Sequence, residues 1–241
     1  MKWLTPDGLV AALAVGAAVA VGLGWRGVVV LLAFFVSGSL LTQLAGTEGG
    51  RRTARQVVAN GGVAALAALV GAWGAAAGAL AAATADTWAT EIGSFSPRPP
   101  RLITRWIPVP RGTSGGITFL GTAGGVAGAV LLGWAAVALA PRPGGGGGDA
   151  AAGSGYPEWG LAWVVTGAGI AGMLLDSVLG ATAQGQFECA SCGARFERAG
   201  TLCHEPVRRI RGFRWLDNDG VNLAATVAGA ALAELGWRCC S

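Results

Sequence analysis

Four carboxylates stand in or beside otherwise apolar stretches: Asp86 and Glu91 in one, Asp176 in a second, and Asp219 at the head of a third. A hydroxyl directly follows two of them, in Asp86-Thr87 and Asp176-Ser177. Carboxylate oxygens gathered at one level suit Mg²⁺, which completes its octahedron with phosphate oxygens and water. Three further blocks join glycine to small polar residues: Asn60-Gly61-Gly62, Gly112-Thr113-Ser114-Gly115-Gly116 and Asn218-Asp219-Gly220-Val221-Asn222. At a helix start, such a block presents unpaired N–H groups and the positive end of the helix dipole, and glycine lets a phosphate come close to the backbone. Arginine-rich segments supply planar donor pairs that match phosphate. Together these residues describe a nucleotide or lipid-phosphate site.

The elements that must position them follow from composition. The 241-residue chain is 53% hydrophobic and only 12% charged, about half the charge of a soluble protein. This argues against an extended soluble catalytic domain, a disordered tail and a nucleic-acid module. A bilayer span needs about 20 apolar residues. Leu9–Leu23 and Gly27–Leu44 qualify, divided by Gly24-Trp25-Arg26, and Val57–Gly93 is long enough for two spans joined near Trp73-Gly74. Thr113–Ala140, Trp159–Gln184 and Val221–Leu235 follow. The expectation is an all-α polytopic bundle of about seven transmembrane helices (six to seven) in one integral membrane domain, 1–241. The first stretch reads as a mature helix rather than a signal peptide, with only Lys2 before it and a second span directly behind.

Seven spans divide the 17 basic residues 14 to 3 between the two sides. The positive-inside rule then places the N-terminus and the richer side in the cytoplasm, with the site on the cytoplasmic face of the cytoplasmic membrane. The pI of about 9.1 reflects this topology and an affinity for anionic membrane lipids, and nucleic acid is not an expected partner. The glycine-rich stretch 141–155 reads as an outer-side linker, and 182–216 as a cytoplasmic Cys/His-containing, Arg-rich loop. In this arrangement each glycine block begins a helix leaving the cytoplasmic side, and each Asp-Ser/Thr pair ends one arriving there. The fourth–fifth and sixth–seventh helix pairs read as parallel repeats.

Plainer roles compete at several positions. Gly121, Gly124, Gly125 and Gly128 suit close helix packing, Asn60-Gly61-Gly62 suits packing or capping as well as a ligand, and Asp219 suits a helix cap. Acids inside spans are costly, by about 2.5–3.5 kcal/mol on insertion scales, and tend to be functional, which favours Asp86 and Asp176. Cys189, Cys192, Cys203 and His204 form a candidate structural zinc set, although an adjacent Cys-His is an awkward second half; surface thiols are the alternative.

The blocks Gln56–Gly62, Ala85–Gly93, Leu102–Thr104 leading to Val109–Gly116, Asp176-Ser177 and Asn218–Asn222 resemble the signature of the integral membrane family of domain of unknown function ninety-two. That family includes the phytyl-phosphate kinase of tocopherol synthesis. The resemblance implies a polytopic kinase that adds a second phosphate to an isoprenoid (phytyl, farnesyl or geranylgeranyl) monophosphate from a nucleoside triphosphate, plausibly CTP. Where the family commonly holds a lysine before Val109, this chain has Arg105-Trp106; Lys2 is its only lysine, so a Walker lysine is excluded.

The chemistry suits these residues, because phosphoryl transfer is mostly positioning and charge neutralisation, and a lipid phosphate oxygen needs no general base. Asp86 and Asp176 are expected to hold Mg²⁺ with Glu91 and Asp219 in support. Thr113, Ser114, Gly115 and Gly116 are expected on the transferred or β phosphate, and Arg105 and Arg111 on developing charge. Asn60, Gly61, Gly62, Asn218 and Asn222 complete the expected phosphate and nucleotide contacts. The rival readings are a membrane transporter, suggested by repeat-like helices with embedded acids, and a CTP-dependent lipid-phosphate cytidylyltransferase.

Overall fold

The computed structural model describes residues 3–46, 51–141, 158–196 and 207–240. Among them are six helices: α1 (Pro6–Ala45), α2 (Ala54–Leu69), α3 (Trp73–Ser94), α4 (Phe119–Ala138), α5 (Glu158–Thr182) and α6 (Asn218–Cys240). Five short strands accompany them: β1 (Arg101–Leu102), β2 (Gly116–Ile117), β3 (Gln186–Cys189), β4 (Arg195–Phe196) and β5 (Val207–Arg211). The linker at 141–155 lies, apart from Pro141, outside the described residues, as do Cys203 and His204.

The expected break after Leu23 is a reversal. Gly24 leaves the helical region with φ 64° and ψ −162°, a conformation open to glycine because it lacks a Cβ. In a straight helix Gly8 and Gly38 would stand about 45 Å apart at ~1.5 Å per residue. Instead, both face Arg52, Gly8 its backbone carbonyl and Gly38 its guanidinium. The rings of Trp3 and Phe35 accordingly meet edge to face with centroids 5.6 Å apart. Thus α1 is two arms lying side by side.

Capping fixes the other starts. Thr5 accepts from Gly8 N at 3.2 Å with Pro6 behind it, and Thr53 forms a capping box with Gln56, whose Oε1 accepts from Thr53 N at 3.0 Å. The connection at 70–72 places the α2–α3 boundary where the sequence suggests it.

Two expectations are corrected. The helix expected from Thr113 begins at Phe119, with Thr118 accepting from Gly121 N at 2.9 Å as its cap. Gly112 and Gly115 have φ of 78° and 79°, which no α-helix accommodates, so Gly112–Gly116 forms turns that lead into β2. The purely helical expectation also misses two small sheets. β1 pairs antiparallel with β2, Leu102 opposite Gly116, and β3 sits between β4 and β5 in the second connection.

α3 packs against all five other helices. Its buried run of alanine and glycine lets neighbours approach closely, and Trp73 Nε1 donates to Ala136 O at 3.1 Å at its far end. Small-residue packing accounts for the α4 glycines: a Cβ on Gly124 would press on Ile92 and one on Gly128 on the Trp88 ring. The connections bearing Arg52, Arg111 and Arg211 gather at one end of the bundle, and the Gly24 turn and residues 70–72 lie at the other.

Leu13, Val21, Phe119 and Trp163 are exposed on outward faces, and α1, α4 and Trp159–Thr182 are long and apolar enough to cross a membrane. An apolar exterior of this extent belongs in hydrocarbon rather than water. The molecule is a helical membrane protein.

Candidate functional site

A cavity of about 680 Å³ opens at the arginine-bearing end, between α2, α3, α5, the start of α6 and the loop before α4. Helical spacing builds its walls. On α3, Asp86, Thr87, Thr90, Glu91 and Ser94 form one stripe, since residues three or four apart share a helix face. Gln56 and Asn60 on α2, and Asn218 and Asn222 on α6, contribute as i,i+4 pairs, while Asp176 and Ser177 face in from α5. Asn60 Nδ2 donates to Gln56 O at 3.1 Å, which fixes its orientation.

Three of the four expected carboxylates therefore line one cavity. Asp219 does not: Arg55 Nε approaches its Oδ2 at 3.2 Å, while Arg55 Nη2 donates to Asp217 Oδ2 at 2.7 Å. Capping falls to Asp217, which accepts from Gly220 N at 3.1 Å. Glu91 is buried and accepts from Thr42 Oγ1 at 2.7 Å. Among the described residues no three His, Cys, Asp or Glu side chains converge as a metal cluster. The oxygen-donor set that fits Mg²⁺ narrows to Asp86 and Asp176, one or two carboxylates being what this ion takes when phosphates supply the rest.

The glycine loop forms the opposite wall, and Thr113, Ser114, Gly115 and Gly116 all reach the cavity. Turn bonds hold it, Thr113 N donating to Pro110 O at 3.2 Å and Gly116 N to Thr113 O at 2.9 Å. Gly115 lies against the Ala181 backbone so closely that a Cβ would come within 2.5 Å of Ala181 N. This contact docks the loop on the end of α5, beside Asp176.

Of the arginines expected to meet developing charge, Arg111 lines the cavity and Arg105 does not. Arg111 donates through Nη1 to Ser94 O at 2.9 Å and through Nη2 to Ser96 O, tying the loop to the end of α3. Arg105 is exposed in the turn after β1, within electrostatic reach of Arg211. The cavity's other cation is Arg52, which the sequence reading missed. Its guanidinium lies 5.6 Å from the ring centroids of both Phe34 and Phe35. Burial lowers its pKa from the usual arginine value and the Glu91 carboxylate opposes that shift. The adjacent aromatic pair Phe34-Phe35, followed by Arg51-Arg52 just before the Thr53 cap, was the available signal. Gly61 and Gly62 are not among the walls; they face Val15 and Val58 side chains, the packing role.

Cys189 and Cys192 stand on the turn between β3 and β4, where Gly193, at φ 68°, donates from N to Cys189 O at 3.0 Å. Both cysteines of this Cys-x-x-Cys pair therefore flank one turn, while Cys203 and His204 lie outside the described residues.

The family model described as integral membrane protein DUF92 matches residues 1–230. An uncharacterized membrane protein, MJ0933, of Methanocaldococcus jannaschii is 32% identical over 88% of this chain and 76% of its own. Protein PGR of Arabidopsis thaliana is 28% identical over 88% of this chain and 82% of its own. The uncharacterized membrane protein sll0875 of Synechocystis is 31% identical over 96% and 82% respectively. No solved structure matches significantly. With its apolar helical bundle and a match extending over nearly its whole length, this chain belongs to the DUF92 integral membrane family.

Proposed function

We propose that the protein is a membrane-embedded isoprenoid monophosphate kinase that forms the diphosphate from a nucleoside triphosphate, with CTP as the donor. The observation that carries this reading is a single cavity in which Asp86 and Asp176 share the walls with the Gly112–Gly116 loop, Arg52 and Arg111. In this proposal the chain crosses the membrane seven times, counting the two arms of α1, and the cavity lies beneath the cytoplasmic headgroups of the cytoplasmic membrane, so a prenyl tail can stay in the bilayer during reaction.

In this reading the lipid phosphate oxygen attacks the γ phosphorus, the bond to the β,γ-bridging oxygen breaks, and the nucleoside diphosphate leaves. Asp86 and Asp176 would hold Mg²⁺, which would supply neutralisation of the phosphate charge. Thr113, Ser114 and the backbone of Gly115 and Gly116 orient the phosphate. Arg52, fixed between two rings and Glu91, and Arg111, fixed to Ser94, supply positive charge at preset positions, the electrostatic stabilisation that phosphoryl transfer needs. Asn60, Asn218 and Asn222 supply further donors to the ligand. We also propose that the Cys189/Cys192 knuckle, with Cys203 and His204, holds a structural zinc ion that stiffens the β3–β5 sheet.

The test is product analysis with purified protein in lipid, over phytyl, farnesyl and geranylgeranyl monophosphates with each common nucleoside triphosphate. The expected result is Mg²⁺-dependent lipid diphosphate and nucleoside diphosphate. Pyrophosphate release with a nucleotidyl lipid would instead establish a cytidylyltransferase, and substrate movement across liposomes without nucleotide consumption a transporter.

A further inference from the structure

The cavity wall holds an amide that the fold itself leaves unused. Gln184, just beyond α5, is 1% exposed and lines the cavity. Its backbone N donates to Leu179 O at 2.9 Å. Its side-chain Nε2 is buried and has no hydrogen-bond partner among the described residues. Folded proteins rarely leave a buried amide N–H unmade, because its hydration is lost without replacement.

The surroundings repeat the pattern. Arg211 Nη2 donates to Gly180 O at 2.8 Å, yet Arg211 Nε is likewise buried without an acceptor among the described residues. Gln184 Oε1 faces the same Gly180, so both side chains gather at one residue. Burial lowers the Arg211 pKa from the usual arginine value, and the nearby charges of Arg105 and Arg195 lower it further. Arg195 is partly offset by Glu188 at 3.4 Å. This corner thus collects donors and positive charge beside the glycine loop, whose Gly115 N packs on Gly180.

We propose that Gln184 is an oxyanion-recognition residue whose Nε2 donates to a phosphoryl oxygen of the bound ligand, with the field of Arg211, Arg105 and Arg195 drawing the anion to it. The ligand class is a phosphate ester, from either the isoprenoid monophosphate or the nucleotide. The inference rests on the phosphotransferase reading. An unmade donor in the empty fold that is satisfied on binding trades stability for affinity, and that trade is measurable.

The experiment uses the full chain in lipid nanodiscs, with farnesyl monophosphate and Mg²⁺-CTP as separate probes of affinity, and the melting temperature without ligand. Gln184→Met, similar in shape but without the amide, is expected to raise the ligand-free melting temperature while weakening at least one probe about ten-fold or more; the weakened probe identifies the phosphate. A lowered melting temperature with wild-type affinity for both probes would make Gln184 a structural amide and overturn the proposal, as would unchanged affinity alone. Should the methionine variant not fold, Gln184→Glu serves, because its carboxylate repels phosphate; undiminished affinity there also overturns the proposal. If wild-type protein binds neither probe, the phosphotransferase reading fails first and this inference with it.

Discussion

Thr42 Oγ1 donates to Glu91 Oε1 across 2.7 Å, joining the returning arm of α1 to the last turns of α3. Thr42 reaches that position only because the chain reverses at Gly24. Glu91 in turn faces Arg52, whose guanidinium rests over Phe34 and Phe35 from the same returning arm. A reversal at the far end of the bundle thereby positions a cation in the cavity.

Thr42→Val keeps the shape and removes the hydrogen bond to a charged acceptor, at a cost of about 1.5–3 kcal/mol. The melting temperature should fall, and the KM for the phosphate substrate should rise more than kcat falls. Arg52→Lys should be worse for activity than its retained charge suggests, since a lysine ammonium cannot present the planar face held between two rings; steady-state kinetics of both variants check this.

The glycine loop offers a matched pair. Gly112 and Gly115 share a left-handed φ, but only at Gly115 would a Cβ strike backbone, at Ala181. Gly112→Ala should cost only local strain, on the order of 1 kcal/mol, and keep substantial activity. Gly115→Ala should displace the loop from α5 and abolish phosphate binding. Equal behaviour of the two in binding and melting experiments would contradict the docking described for this loop.

Much of this was legible in the sequence, and the failures have physical causes. The break at Gly24 was readable because a reversal favours glycine, whereas the caps Thr5-Pro6 and Thr53-x-x-Gln56 went unread, so α1 and α2 each start earlier than their apolar runs. Asp86 and Asp176 stood out because carboxylates in apolar helices are costly. The start of α4 was misread because Gly-Thr-Ser-Gly-Gly has the composition of a helix start, whereas the left-handed φ at Gly115 is fixed by contact with Ala181, a residue 66 positions away. Strands of two residues, such as β1 and β2, carry too little alternation to be seen. In Asn218-Asp219 the acid looked like a ligand, yet Arg55 from α2 claims it. Arg52 and Gln184 were missed for the same reason: each gains its role from partners distant in the chain.

The reassignment of Asp219 has its own consequence. Arg55 is 62% exposed but the Asp219 side chain only 8%, so disturbing this half-buried pair costs more than the roughly 0–1 kcal/mol typical of a surface pair. Asp219→Asn should therefore lower the melting temperature yet retain most activity, whereas Asp176→Asn should reduce kcat at least a hundred-fold at an unchanged melting temperature. Parallel turnover and thermal measurements separate the two.

Removal of Mg²⁺ by exchange into metal-free buffer, which leaves a thiolate-bound zinc ion in place, should abolish turnover and leave the melting temperature nearly unchanged, since the described helices hold together through apolar packing. Mg²⁺ should restore activity fully. Calcium should restore it poorly, because its longer ligand distances and higher coordination number suit a two-carboxylate phosphate site less well.

The most direct measurement of the central claim follows the label from CTP carrying radioactive phosphate at the γ position, incubated with farnesyl monophosphate, Mg²⁺ and purified protein in nanodiscs. The account predicts radioactive farnesyl diphosphate from the wild-type protein and none from a folded Asp86→Asn variant. Label that never enters lipid from any γ-labelled nucleoside triphosphate, with protein shown to be folded and all three isoprenoid monophosphates tried, would contradict it.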